Sequence, residues 1–194
     1  RVRSPRASAS SGSVCAVSRR TMRPSSIRRA KWPPLRSLGV RRTASIANGG
    51  GLSNISPGID FFAQLKSVGN FLPVQATPQT IASGQTPITI DWDYLNLAYG
   101  KNFPASKITT VIPSDAVYGA YYCQGVNATA PHPWAARLWQ EFLYSDQGQL
   151  LWLKGYSHPA LFTDMVGRKV VPSALIKALP NPASYSKVRF ASVS

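Results

Sequence analysis

The chain has 194 residues, of which 44% are hydrophobic, and this is enough to build the core of one ordinary domain. No apolar run approaches the roughly 18 residues of a membrane-spanning helix, which excludes such a helix in this sequence. The formal net charge of +15 suggests a nucleic-acid partner, but twelve of the 22 Lys and Arg residues lie within residues 1–42, which contain no acid. The rest of the chain is therefore close to neutral.

Residues 1–45, here called the basic segment, consist mainly of Arg, Ser and Pro and have no helical or strand periodicity. Such a composition buries too little apolar surface to offset the entropy of ordering, so disorder is expected. The segment is interpreted as a tail that binds nucleic acid or anionic lipid, or as a targeting peptide, although no apolar stretch follows the arginines. The leading hypothesis is a third one, an out-of-frame translation of GC-rich DNA.

From residue 47 onward, helix and strand signals alternate. Ser56 before Pro57 predicts a helix start, and Ile59, Phe62 and Leu65 recur at helical spacing. The later elements expected in chain order are a short helix at 77–83, a strand at 88–91, a helix at 94–99, strands at 109–112 and 117–126, helices at 133–144 and 147–154, and a short helix at 174–179. This alternation predicts an α/β fold.

Most catalytic and cofactor motifs are absent from the sequence. It contains no phosphate-binding or dinucleotide-binding loop, so no cofactor is expected. His132 and His158 have no Cys or acid at metal-ligand spacing, which predicts structural roles and no metal, and Cys123 is expected to be a buried thiol. Asp91 and Asp93, two apart on a strand, would point the same way as an acid and a base, but no nucleophile accompanies them. The chain is therefore not expected to be an enzyme.

The most informative segment is 88–95, Ile-Thr-Ile-Asp-Trp-Asp-Tyr-Leu. A β-branched run typical of a buried strand ends there in two carboxylates, Asp91 and Asp93, and two aromatic rings, Trp92 and Tyr94. Open α/β folds bind ligands at the carboxyl ends of strands, and acids beside aromatic rings suit a small organic cation. The alternative is a strand end whose polar residues are merely solvated.

Five segments carry a family resemblance. They are Gly-Gln-Thr-Pro at 84–87 before a strand, Val-Ile-Pro-Ser-Asp at 111–115, the His-Pro-containing stretch at 127–136, Phe-Leu-Tyr-Ser-Asp-Gln-Gly-Gln at 142–149, and Gly-Tyr at 155–156. In this order and spacing, the sequence resembles the carboxy-terminal half of an extracellular solute-binding protein of an ABC importer. The family concerned includes polyamine, iron(III) and thiamine binders.

The resemblance implies the C-terminal part of a type II periplasmic-binding-protein fold, in which two α/β lobes clamp a solute around a hinge. Residues 46–110 would be the end of lobe two, and residues 111–194 the hinge strand and the return to lobe one. It also implies a monomer without enzymatic activity that delivers a small solute to ABC permease subunits. The parent protein would be periplasmic or extracellular, although no signal peptide is visible in this chain.

For the cargo, the resemblance favours a polyamine-like organic cation, because Trp92 falls where polyamine binders place a tryptophan. The acid that those proteins carry after the hinge is missing at 120–122, so Asp91 or Asp93 would supply the charge. Iron(III) binders instead carry two adjacent tyrosines near this position, which Asp93 and Tyr94 do not match; iron(III) or another small solute stays an alternative.

Two tyrosines complete the expected site. Tyr118 and Tyr121 follow the hinge strand and are expected to face the cleft, with packing in a strand core as the alternative. From a different functional class, a nucleic-acid-associated protein that uses the basic segment is kept as a further hypothesis, but a loose cationic tail would bind polyanions non-specifically. No specific nucleic-acid partner is therefore expected.

Overall fold

The structure is a computed structural model that describes residues 13–20, 31–32, 38–73, 76–104 and 108–191. For residues 13–20, 31–32 and 72–73 it describes the backbone alone. The strands are β1 Ser13–Arg20, β2 Lys31–Trp32, β3 Leu72–Pro73, β4 Ile88–Trp92, β5 Ile108–Val111, β6 Tyr118–Ala120 and β7 Arg189–Phe190. The helices are α1 Leu38–Ala47, α2 Ser56–Ser67, α3 Pro78–Ala82, α4 Asp93–Asn102, α5 Pro133–Tyr144, α6 Asp146–Lys154, α7 Phe162–Gly167 and α8 Ser173–Lys177, with a 3-10 helix at Pro182–Tyr185.

The described chain divides into two compact units. The sheet unit contains Ser13–Ala120 and the chain from Leu179 onward, and the helical unit contains Tyr121–Ala178. The sheet unit holds all the described strands together with α1 to α4, whereas the helical unit holds α5 to α8. The division at 120 and 178 places β5, β6 and β7 with the segment 46–110, and the assignment of 46–110 and 111–194 to two lobes stays a prediction.

The sheet of the sheet unit is built around β1. This strand pairs antiparallel with β4, from Cys15 opposite Trp92 to Arg19 opposite Ile88. It also pairs antiparallel with β5 and, through its first two residues, with β6. The strand β7 joins parallel to β6, and β2 and β3 form a separate parallel pair. The α/β class predicted from the sequence is confirmed.

Of the basic segment, for which the sequence predicts disorder, the structure describes residues 13–20, 31–32 and 38–45, and these lie in strands and a helix. Ser13–Arg20 is β1, and α1 begins at Leu38 with Val40 and Ala44 buried one turn apart. Averaging composition over 45 residues hid the apolar run Val-Cys-Ala-Val at 14–17, which by itself is typical of a short strand. Pairing with strands far along the chain then supplies the backbone hydrogen bonds that a disordered segment lacks.

The core of the sheet unit lies between β4 and the helix pair α1 and α2. Its buried members are Val40, Ala44, Phe62, Phe71 and Ile90, with Phe61, Leu65 and Ile88 packed against them. The Phe62 and Phe71 rings lie 5.6 Å apart between centroids. The helix predicted to start at Ser56 and Pro57 is therefore confirmed as α2, and its apolar face covers one side of the sheet.

The predicted strand and helix around Asp91 are present with shifted bounds. β4 extends to Trp92 and α4 begins directly at Asp93, so Asp93 lies on a helix and not on the strand. Hence the expectation that Asp91 and Asp93 point the same way from one strand is wrong. The expected strand at 117–126 is also shorter, because it ends as β6 at Ala120.

In the helical unit, the junction between α5 and α6 is fixed by the residues of the 142–149 motif. The Ser145 hydroxyl accepts a hydrogen bond from the Gly148 N–H at 3.2 Å and thereby caps α6. A Cβ at Gly148 would clash with the Phe142 carbonyl oxygen. The buried Gln149 accepts the Leu161 N–H at 2.9 Å, which ties α6 to the start of α7. These motif residues therefore hold helices together.

The apolar face predicted for α5 is present but exposed. None of the α5 residues is buried, and Trp134 and Leu138 expose 75% and 67% of their surface. Cys123, which was expected to be a buried thiol, is free and exposed, so that expectation is wrong. The helical unit thus presents large aromatic and aliphatic side chains to solvent.

Within the part of the chain that the structure describes, each helix is too short or too polar to cross a membrane.

The approach of α2 to α1 gives the first testable prediction. A Cβ at Gly58 would lie 2.5 Å from the Arg41 carbonyl oxygen and 2.7 Å from the Ser45 nitrogen. Helix propensity alone favours Ala over Gly by about 1 kcal/mol. Because backbone atoms cannot move aside easily, we expect Gly58→Ala to lower the free energy of unfolding by about 1–3 kcal/mol instead.

The measurement is urea unfolding followed by circular dichroism, with Gly100→Ala as the matched control. A Cβ at Gly100 in α4 would meet the Ile108 carbonyl oxygen at 3.6 Å, an ordinary contact. That variant should be neutral or more stable by up to about 1 kcal/mol. A stabilised Gly58→Ala protein would contradict the close packing of α1 and α2.

Candidate functional site

The predicted site residues lie where β4 passes into α4. Trp92 has extended backbone angles and occupies the position before the first helical residue, but its side chain makes no capping bond. Asp93 supplies the carboxylate instead, because its Oδ1 accepts the Tyr94 N–H at 2.9 Å. A negative charge in the first turn of a helix is stabilised by the partial positive charge of that terminus. This pattern explains why the strand stops at these residues.

The side chains of β4 alternate between two environments. Ile90 belongs to the core beneath α1 and α2, whereas the Thr89 hydroxyl donates a hydrogen bond of 3.4 Å to Asn96 on α4. Successive strand residues point to opposite faces, so Asp91 lies on the face of Thr89 and Trp92 on the face of Ile90. The structure therefore separates Asp91 from Trp92, the acid and the ring that the sequence joined in one site.

Asp91 is half-buried on the α4 side of the sheet. Its Oδ1 accepts the N–H of Trp92 at 2.8 Å. Burial raises the pKa of Asp91 above its ordinary value, and this backbone hydrogen bond offsets part of the increase. Burial also raises the pKa of Tyr99, to which the Asp91 charge adds a smaller increase. Asp91 is thus a desolvated carboxyl group with a tyrosine close to it.

Asp93 is almost completely buried, with 1% of its surface exposed. The Tyr185 hydroxyl donates a hydrogen bond of 2.9 Å to its Oδ2. Burial and the neighbouring Asp93 charge raise the pKa of Tyr185 well above its ordinary value, so its proton stays in this bond. Because both oxygens accept hydrogen bonds inside the protein, the Asp93 carboxylate ties the 3-10 helix at Pro182–Tyr185 to the start of α4.

The aromatic residues of the other face form a cluster with an arginine. The rings of Trp92 and Tyr118 lie 6.4 Å apart at an angle of 35°. Arg42 donates a hydrogen bond of 2.9 Å from Nη1 to the Tyr118 hydroxyl, and its guanidinium carbon lies 5.4 Å from that ring's centroid. The backbone of Gly39 lies beside both rings. We call Gly39, Arg42, Trp92 and Tyr118 the Arg42 cluster.

Arg42 is not recognisable as a site residue from the sequence pattern used above, because it falls in the segment expected to be disordered. The sequence does contain a signal for a helix here, because Val40 and Ala44 have the spacing of two residues on one helix face. Arg42 then lies on another face of that helix. Tyr118, which was expected either to face a cleft or to pack in a strand, is 6% exposed and belongs to this cluster.

The remaining two predicted residues are not placed in the Arg42 cluster. Tyr94 is half-buried on α4, next to Asp93. Tyr121 is the first residue of the helical unit and is 45% exposed. Ligand-binding roles for both tyrosines stay predictions.

The two histidines lie outside this region, in the helical unit. His132 is exposed, whereas His158 packs edge-on against Phe162 with ring centroids 5.3 Å apart. Over the described ranges, the structure has no group of three or more His, Cys, Asp or Glu residues that would hold a metal ion.

The Asp93–Tyr185 bond gives the second prediction. Tyr185→Phe removes one hydrogen bond to a buried carboxylate, and we expect the free energy of unfolding to fall by about 1–3 kcal/mol. Urea unfolding of this variant is compared with that of Tyr144→Phe, since Tyr144 is 62% exposed. The control should keep the stability of the parent; equal stability of the two variants would contradict a structural role for this bond.

A third prediction concerns pH. Burial lowers the pKa of His158 below the unfolded value of 6.5, so the unfolded chain takes up a proton at a higher pH than the folded chain. The contribution of His158 is complete above pH 6.5 and is lost as the pH falls through and below that value. We expect lower stability at about pH 5.5 than at about pH 7.5, and His158→Gln should reduce this difference whereas His132→Gln should not. Urea midpoints at the two pH values test it; an unchanged pH dependence in His158→Gln would rule it out.

Comparison with known proteins finds no matching family model and no matching curated protein. Among solved structures, the chain is similar to the sulfate-binding protein SubI from Mycobacterium tuberculosis H37Rv, with 22% identity and a TM-score of 0.58, covering 84% of this chain and 63% of that one. It is also similar to the Atu4243-GABA receptor, with 16% identity and a TM-score of 0.71 over 94% of this chain and 61% of that one.

A third similar structure is a putative spermidine/putrescine ABC transporter from Listeria monocytogenes, with 11% identity and a TM-score of 0.58 over 92% of this chain and 60% of that one. The chain thus spans about 60% of the length of these structures. The resemblance drawn from the five sequence segments is supported by these structures, and the part-length match fits a fragment. The chain therefore has part of the α/β fold seen in the substrate-binding proteins of ABC transporters.

Proposed function

We propose that this chain is part of the solute-binding component of an ABC importer. The observation that carries the proposal is the similarity of 84–94% of the chain to solved structures described as a sulfate-binding protein, a GABA receptor and a spermidine/putrescine transporter. Proteins of this fold with different solutes share the scaffold and differ in the residues at the site. The side chains at the site of this chain therefore determine which solute it binds.

The same comparison supports a binding role without catalysis. The similar structures are described as binding or transport proteins. Both oxygens of Asp93 accept hydrogen bonds within the protein, from the Tyr94 N–H and the Tyr185 hydroxyl, which supports a structural role for this carboxylate. The proposed activity is reversible binding of a small solute, with no cofactor.

The proposed partners are the solute and the permease subunits of the importer, and the proposed location is the periplasm or the cell exterior. The exposed apolar face of α5 supports a contact with another polypeptide, because contiguous exposed apolar surface marks interaction sites. The large exposed hydrophobic residues of α5 are Trp134, Leu138, Trp139 and Tyr144. In the complete binding protein, this face would pack against the remainder of the fold or against a permease.

The proposal that the solute is a polyamine-like cation, which came from the sequence, rests mainly on Asp91. Of the two carboxylates, Asp93 is engaged internally, and Asp91 lies on the face of β4 opposite to Trp92. An ammonium group near Asp91 would restore the ionised form that burial disfavours. Support for an organic cation is thus limited to one desolvated acid and the similarity to the spermidine/putrescine transporter.

The fourth prediction tests this cargo. If a cationic solute pairs with Asp91, Asp91→Asn should weaken spermidine binding by about tenfold or more, since a hydrogen bond to a charged group contributes about 1.5–3 kcal/mol. The same variant should keep or gain stability, because it removes a charge that burial disfavours. Isothermal titration with spermidine measures the affinity, and urea unfolding measures the stability.

Asp60→Asn is the matched control, because Asp60 lies exposed on α2 and carries the same charge. It should bind spermidine as the parent chain does. If Asp91→Asn also binds as the parent does, Asp91 is not part of the site.

A further inference from the structure

Arg42 is a cation without a carboxylate partner. All seven Asp and Glu residues of the sequence lie in the described part of the chain, and the ion pairs described there are made by Arg168 with Asp146 and Asp164. None of the seven carboxylates pairs with Arg42. Its charge lies between α1 and the rings of Trp92 and Tyr118, where no Asp or Glu of the described chain pairs with it.

The hydrogen bonding of Arg42 is also incomplete. Nη1 donates to the Tyr118 hydroxyl, but Nε is buried and has no hydrogen-bond partner among the described residues. A buried donor without an acceptor costs free energy and is rare in folded proteins. An acceptor supplied from outside the chain would remove that cost.

The surroundings of Arg42 suit an anion. The Tyr118 oxygen accepts the Arg42 bond, so its own hydrogen is available to donate to a third group. α1 has ten residues and begins at Leu38, one turn before Arg42, so the partial positive charge of its N-terminus has the same sign as the guanidinium. Trp92 is half-buried at the end of β4, where ligands bind in open α/β folds.

We propose that Arg42, Tyr118 and Trp92 form a subsite for an acidic group of the solute, either a carboxylate or an inorganic oxyanion. The Nε and Nη2 edge of the guanidinium would donate to two oxygens of this group, because arginine binds planar oxyanions through such a fork. The Tyr118 hydroxyl donates a third hydrogen bond, and the Trp92 ring forms a wall. This inference rests on the proposed solute-binding function and specifies the class of solute.

The subsite disfavours a purely cationic cargo, because Arg42 repels an ammonium group placed between the same rings. It therefore competes with the organic cation proposed for Asp91, on the opposite face of β4. A titration with solutes of different charge distinguishes the two.

The experiment titrates the full chain with sulfate, γ-aminobutyrate and spermidine in separate calorimetric runs up to millimolar concentration. These probes are an oxyanion, a carboxylate with an ammonium group, and a polycation. We expect sulfate or γ-aminobutyrate to bind, and Arg42→Gln to weaken that binding by about tenfold to a hundredfold. Arg42→Lys keeps the positive charge but loses the paired N–H donors of the guanidinium, so its affinity should lie between those of the parent chain and Arg42→Gln.

Arg41→Gln is the matched control, because Arg41 is the neighbouring residue on α1 and its substitution removes the same charge. It should bind the acid as the parent does. Tyr118→Phe keeps the ring and removes the hydroxyl, and we expect it to weaken binding several-fold. Circular dichroism shows whether the Arg42 variants fold. If they do not, Tyr118→Phe still gives an independent result.

Each contrary result has a distinct meaning. Acid binding that survives in Arg42→Gln, or binding of spermidine alone, overturns the subsite but leaves the solute-binding function standing. Equal losses in Arg41→Gln and Arg42→Gln would show a general charge effect and also overturn it. A folded parent chain that binds none of the three probes contradicts the subsite and the proposed function together.

Discussion

The sheet unit depends on the pairing of one strand, β1. Along the described chain, β4 and β5 each pair with β1 alone, and β6 reaches them only through it. Its antiparallel ladders therefore supply the backbone hydrogen bonds of strands that are separated from it by more than 60 residues of chain. The position of Trp92 follows from this, since Trp92 lies opposite Cys15 at the end of the longest ladder. The position of Tyr118 also follows from this pairing, since β6 lies beside the first residues of β1.

In the sheet unit, the surroundings of each charged side chain decide its role, and closeness in the sequence does not. Asp91 and Asp93 are two residues apart, yet one is a desolvated carboxyl group near Tyr99 and the other is bound to Tyr185. Arg42, distant in sequence from both, lies beside Trp92 and Tyr118 and forms no ion pair with the Asp and Glu residues that the structure describes. A site designed around the acids would take a cation, whereas one designed around Arg42 takes an acid. The subsite proposed above is the second arrangement, and its basis is a buried donor that finds no acceptor among the described residues.

The motif at 142–149 shows what a recurring sequence pattern can mean. Ser145 caps α6, Gly148 allows the helix to approach the Phe142 carbonyl, and Gln149 connects to Leu161. Such residues are required by the joint between helices, so proteins that bind different solutes can share them. They identify the scaffold and carry no information about the cargo. The cargo depends on side chains outside these motifs.

By itself, the sequence determined the α/β class, the helix that starts at Ser56, the strand leading to Trp92 and the amphipathic pattern of α5, because these follow from local periodicity and turn residues. It did not determine the strand formed by Ser13–Arg20, the role of Arg42 or the hydrogen bond between Asp93 and Tyr185. Each of these depends on contacts between residues far apart in the chain: the strand is ordered by partners at 88–92 and 108–111, and Asp93 is held by a tyrosine 92 positions away. Only the tertiary structure decided them, because the free energy of burying a charge or pairing a strand depends on which distant groups lie beside it.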